Sequence, residues 1–170
     1  MIKKIITILV LLTLTVGCTN KSDAMKFKEE YEQYNDKNIK LEIEEDNIIK
    51  YATSDEINEI IDKKSGVIFI GNPKDDLSRA AINVLLKAAE STDLQEIYYI
   101  EEYKEISKIK SIDALKKPVV INVLEGEIIS YHIGTINNKT KLKEENEKKL
   151  YDIYSTGIHE VLQDACTEEC

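Results

Sequence analysis

Val67-Ile68-Phe69-Ile70-Gly71-Asn72-Pro73-Lys74-Asp75-Asp76-Leu77-Ser78-Arg79 is the stretch that decides how this chain folds. Val67 to Ile70 is apolar at every position, and so short a run suits a central strand covered on both faces. Gly71, Asn72 and Pro73 break the run and predict a turn. Asp75 is a strong N-cap residue, and the helix it opens is predicted from about Asp76 to Glu90. Leu77, Ala81, Val84, Leu85 and Ala88 form its apolar stripe, which Ile82, Leu86 and Ala89 widen. Leu94 to Ile100 reads as a second strand centred on Ile97-Tyr98-Tyr99-Ile100. Strand, helix and strand in this order make a right-handed βαβ unit.

Upstream, Asp23 to Tyr34 carries a weak helical spacing through Met25, Phe27, Tyr31 and Tyr34. Leu41-Glu42-Ile43 and Ile48-Ile49-Lys50-Tyr51 read as short extended pieces. Thr53 and Glu56 have the spacing of a capping box, and Ile57, Ile60 and Ile61 form one face of the helix it opens. Lys63, Lys64 and Gly66 suit the end of that helix.

Downstream, Glu101 to Lys110 is charged and predicts an irregular helix closed by Ile112, Ala114 and Leu115. Pro118 opens the apolar run Val119 to Leu124, Glu125-Gly126 is a turn, and Ile128 to Ile133 returns as a hairpin partner ending at Gly134. A long amphipathic helix is predicted from about Leu142 to Ala165. It is built on Leu150, Ile153, Tyr154, Ile158, Val161 and Leu162 and interrupted by Gly157. The chain has no internal repeat.

The first residues read as a targeting segment. Lys3 and Lys4 form a basic start, and the apolar stretch Ile5 to Leu14 is too short to span a bilayer. Thr15-Val16-Gly17-Cys18 resembles a bacterial lipobox, in which Cys18 is lipidated and becomes the mature N-terminus. An ordinary signal peptide with an incidental cysteine is the alternative. The reading divides the chain into a signal peptide (1–17), a tether (18–23) and one domain (24–170). It places the protein on the outer face of the cytoplasmic membrane. Loss of Lys3 and Lys4 moves the formal net charge from −9 to −11. So acidic a chain disfavours nucleic acid and anionic headgroups as partners.

With strand, turn, helix and hairpin in place, the chain resembles bacterial thioredoxin-fold lipoproteins, including those described as bacteriocin-transport accessory-like. Members of that group show Gly-x-Pro-x-Cys-Pro-x-Cys-Arg after the first core strand. This chain keeps Gly71, Pro73 and Arg79 but places Asp75 and Ser78 at the two cysteine positions and Asp76 at the intervening proline. The stretch Glu45-Asp46-Asn47-Ile48 followed by Tyr51 is also similar to that group. The resemblance implies a thioredoxin-like α/β fold in which Pro118 occupies the position of a proline, cis in such folds, beside the active site. It also implies a groove formed by Asn72, Pro73, Asp75, Asp76, Ser78, Lys117 and Pro118, where relatives dock an extended peptide.

Asp75 and Ser78 cannot perform thiol–disulfide exchange, which requires thiolate attack on a disulfide. Their plainer role is capping and solvation; the sharper one is a groove repurposed for a cationic peptide or a metal. Two carboxylates with neither histidine nor a third acid are a poor metal set, so no metal or cofactor is expected. The remaining cysteines, Cys166 and Cys170, lie four residues apart. On a helix their Cα atoms would be about 6 Å apart, within disulfide reach. Glu168 and Glu169 between them disfavour a reactive thiolate, so a structural disulfide is the first reading and a redox pair the second. His159 reads as a half-exposed surface residue, and His132 as a packed or solvent-facing strand residue. The functional expectation is a membrane-anchored binding or accessory module for an exported peptide or protein, without dithiol activity. A thiol–disulfide oxidoreductase using Cys166 and Cys170 is the alternative, and an immunity-like lipoprotein the third.

Overall fold

The computed structural model describes residues 21–101, 118–133 and 144–163. Helix α1 (Asp23–Glu32) is followed by β1 (Ile49–Tyr51), α2 (Ser54–Lys63), β2 (Gly66–Ile70), α3 (Asp76–Ser91) and β3 (Ile97–Ile100). Then come β4 (Val119–Leu124), β5 (Glu127–Ile133) and α4 (Glu144–Gln163). The strands form one mixed sheet in the order β1-β3-β2-β4-β5. β1 and β2 both pair with β3 in parallel, whereas β4 runs antiparallel to β2 and β5 antiparallel to β4. The fold is α/β.

Period-2 alternation in the strands sorts the core into two layers. Val67, Phe69, Ile97, Tyr99 and Val120 face one side, where α1, α3 and α4 cover them. Ile68, Ile70, Ile100, Val119, Ile121 and Val123 face the other side, where α2 contributes Ile57, Ile60 and Ile61. Residues 67–70 are therefore buried at every position because both faces of β2 are covered.

Local chemistry explains most element boundaries. Thr53 and Glu56 form the complete capping box that starts α2. Asp75 caps α3 by accepting the Ser78 N–H. Glu125 (φ 48°) and Gly126 (φ 80°) both adopt left-handed backbone, as a two-residue hairpin turn of the I′ kind requires. That turn is docked: the Glu125 N–H donates to Ser65 Oγ at 2.9 Å, and the Gly126 N–H to the Lys64 carbonyl at 2.9 Å.

Several expectations are corrected. Gly66 does not end α2; it opens β2 without a positive φ, and a Cβ there would approach Tyr98 Cε2 at 3.2 Å. Gly157 does not interrupt α4, which runs through it; a Cβ at that position would overlap Asn122 Nδ2. Ile153 belongs to the outer face of α4, being 42% exposed, while Leu150, Tyr154, Ile158 and Val161 are buried. The strand expected from Leu94 begins only at Ile97. Residues 41–43 join no strand, yet Leu41 and Ile43 are buried in the core. Among the described residues no helix is long and apolar enough to cross a membrane. The lipidation residue Cys18, the groove residue Lys117, the pair Cys166 and Cys170, Gly134 and the charged stretch after Glu101 lie outside the described residues.

Candidate functional site

The junction between β2 and α3 is closed on itself by short hydrogen bonds. Asp75 Oδ2 accepts both the Ser78 N–H and the Ser78 hydroxyl, each at 2.8 Å. The same hydroxyl accepts the Asn72 N–H at 3.1 Å. Asn72 Oδ1 accepts the Lys74 N–H at 2.8 Å, and the Asn72 carbonyl accepts the Asp75 N–H at 3.0 Å. An Asx-type turn followed directly by an Asp N-cap holds the backbone without help from a ligand.

Arg79 fastens this loop from inside. Its side chain is 4% exposed, with Nη1 donating to the Pro73 carbonyl at 3.0 Å and Nη2 to Asp76 Oδ1 at 2.6 Å. Asp36, from the connection after α1, lies 3.5 Å from Nη2. The amides of Ile39 and then Asn38 hold the Asp36 carboxyl below the usual carboxylate range, with a smaller contribution from Arg79.

Aromatic rings support the loop from below. Tyr99 donates its hydroxyl to the Gly71 carbonyl at 3.2 Å. A Cβ at Gly71 would sit 2.5 Å from Phe69 Cζ and 3.0 Å from the Tyr31 hydroxyl oxygen, so only glycine fits. Phe27, Tyr31, Phe69 and Tyr99 stack or meet edge to face at centroid distances of 4.2–5.9 Å. Burial pushes the Tyr31 and Tyr99 hydroxyls well above the ordinary tyrosine range, so both remain protonated.

The residues expected to form a groove are thus placed differently from one another. Asn72, Asp75 and Asp76 are half-buried, whereas Pro73 and Pro118 are buried. Ser78 has no exposed surface. Its hydroxyl is an internal strut, unable to meet a substrate, and residues 72–79 contain no sulfur for exchange chemistry. Among the described residues no group of three or more His, Cys, Asp or Glu side chains is placed to hold a metal ion.

Among the described residues two cavities lie elsewhere, and neither is lined by residues 72–78 or Pro118. One, of about 430 Å³, separates residues 42–48 from α3 and includes Ile43, Ile48 and Leu86 in its walls. The other, of about 350 Å³, opens between β5 and α4, with Asn122 of β4 also lining it. His132 borders it and meets the Tyr154 ring edge to face at 5.9 Å. Burial lowers the His132 pKa. His159 is exposed on α4 and takes no part in either cavity. The sequence carries a sign of the β5–α4 cavity, since Asn122 is the one polar residue in the otherwise apolar run 119–124.

No protein-family model matches this chain, and the comparison with curated proteins finds no match.

Proposed function

We propose that the chain is a thioredoxin-like lipoprotein that has exchanged dithiol chemistry for a binding role. Anchored through Cys18 on the outer face of the membrane, it would hold an exported peptide or protein. The observation that carries the proposal is the Asp75–Ser78 hydrogen bond at the β2–α3 junction. The two positions that hold cysteines in the resembling family touch each other here through an O–H···O⁻ bond. On this reading the loop retains Gly71, Pro73 and Arg79 of the family's pattern while the sulfur chemistry is gone. The succession of βαβ unit, antiparallel hairpin and helix supports the fold part of the reading. Asn72, Asp75 and Asp76 are the half-buried polar residues the groove would offer to a partner, beside Pro118 and Lys117.

Insulin reduction by the full chain, with Cys166→Ser and Cys170→Ser controls, tests the redox half. No turnover above free dithiothreitol is expected. Cysteine-dependent turnover well above that level would replace this reading with an oxidoreductase built on the C-terminal pair. Gain of activity in an Asp75→Cys/Ser78→Cys double variant is expected if the junction belongs to a thioredoxin-like frame. Pull-down with the lipidated protein tests the binding half, and capture of a secreted toxin would favour the immunity-like alternative.

A further inference from the structure

We propose that the cleft between β5 and α4 is a binding site for a small amphiphilic cation, an aromatic or short alkyl group carrying a protonated amine. This inference is independent of the role given to residues 72–78.

The cleft has the form of a ligand site. Its volume of about 350 Å³ falls at the lower end of the range typical of small-molecule pockets. Tyr131 and Ile153 in its walls are 49% and 42% exposed. They are two of the four large hydrophobic residues exposed among the described residues.

Its polar groups define the ligand. Asn122 and Tyr154 both line the cleft and are only 5% and 1% exposed, yet Asn122 Oδ1 and the Tyr154 hydroxyl have no hydrogen-bond partner. Buried polar atoms left unpaired are costly, so a ligand that displaces the side chains covering them and donates to them recovers free energy. The Asn122 amide nitrogen is already committed to Ser130 Oγ at 3.0 Å, which leaves its oxygen as the acceptor. Gly157 makes this arrangement fit, because a side chain there would displace the Asn122 amide.

Charge selects a cation. Asp152 and Glu160 stand on the rim two helical turns apart, and neither forms an ion pair with a described residue. Among the described residues no lysine or arginine lines the cleft. Burial of His132, which also borders the cleft, disfavours a positive charge on its ring. Tyr131 and Tyr154 line the cleft and give it aromatic surface against which the apolar part of the ligand can pack. An anionic ligand of the same shape meets two carboxylates and the unpaired Asn122 Oδ1.

Phenethylammonium is the probe and phenylacetate its charge-reversed control. Both are titrated into the full chain while amide chemical shifts are followed by NMR. Saturable shifts confined to residues 129–132 and 152–160 are expected with the amine, and binding at least about fivefold weaker with the acid, as the rim charges dictate. Asp152→Asn/Glu160→Gln, a pair of exposed substitutions with little bearing on folding, should weaken the amine about fivefold. Tyr154→Phe should weaken it while leaving the fold intact. Equal binding of amine and acid, amine shifts located elsewhere, unchanged affinity in the double variant, or no saturable shift at millimolar excess would each overturn the proposal.

Discussion

The β2–α3 junction and the β5–α4 cleft handle buried polar atoms in opposite ways. In the junction Asn72, Asp75 and Ser78 satisfy one another within seven residues of chain, and Arg79 ties the result to Asp76 and Pro73. Only Arg79 Nε and, beneath the loop, the Tyr31 hydroxyl lack partners. In the cleft Asn122 Oδ1, His132 Nδ1 and the Tyr154 hydroxyl are all without one. A closed polar network rigidifies, whereas an open one stores free energy that another molecule can release. The segment that looks most like an active site is thus the more self-sufficient of the two. The segment with unmet bonding capacity was assembled from residues scattered along the second half of the chain.

Removing the aromatic floor should strain the contrast most. Tyr99→Ala withdraws a buried ring together with the donor to Gly71, and a loss of about 4 kcal/mol is expected in urea unfolding. A loss under about 1 kcal/mol would mean the loop does not depend on the rings below it. Next in size is Gly157→Ala, which forces α4 and Asn122 apart; about 2 kcal/mol is expected, measured the same way. Asp75→Ala removes the N-cap and the acceptor of the buried Ser78 hydroxyl, and a loss of about 1.5 kcal/mol should appear in thermal unfolding.

The sharpest comparison is a matched pair of single-atom changes. Tyr99→Phe breaks a bond that is made and should cost about 1 kcal/mol. Tyr154→Phe deletes a hydroxyl that has no partner and should raise stability by up to about 1 kcal/mol. If both variants lose stability equally, the cleft is no more open than the junction.

The smallest effect is a pH dependence. His132 has a folded-state pKa below its unfolded value of 6.5, so below about pH 6.5 the unfolded chain binds the extra proton first. Stability should therefore rise with pH from the folded value up to about 6.5 and level off above it. Melting temperatures measured from acid to neutral pH should lose this slope in His132→Gln.

The junction was legible in the sequence because its determinants are local. The apolar run 67–70, the breakers Gly71 and Pro73 and the cap at Asp75 act within a few residues of one another, and the capping box at Thr53 and the hairpin turn at Glu125 are local too. Burial of Ser78 was not legible, because solvation and internal bonding of a capping serine use the same residue type. Gly157 was read as a helix breaker on propensity alone. Its role is set by Asn122, thirty-five residues earlier, and no local pattern encodes that contact. Residues 41–43 misled for a similar reason: their alternation reflects burial against the core without strand pairing.

The docked hairpin turn bears on the order in which the molecule comes together. β4 and β5 are joined by a two-residue turn and can zip within microseconds of meeting. The bond from Glu125 to Ser65 spans 60 residues of sequence, so it must await closure of a long loop. If the contact forms only after the rate-limiting step, the two hydrogen bonds at the tip of the hairpin act as a kinetic latch. Ser65→Ala is then expected to speed unfolding while leaving the folding rate unchanged, and an equal slowing of folding in stopped-flow kinetics would place the contact in the transition state.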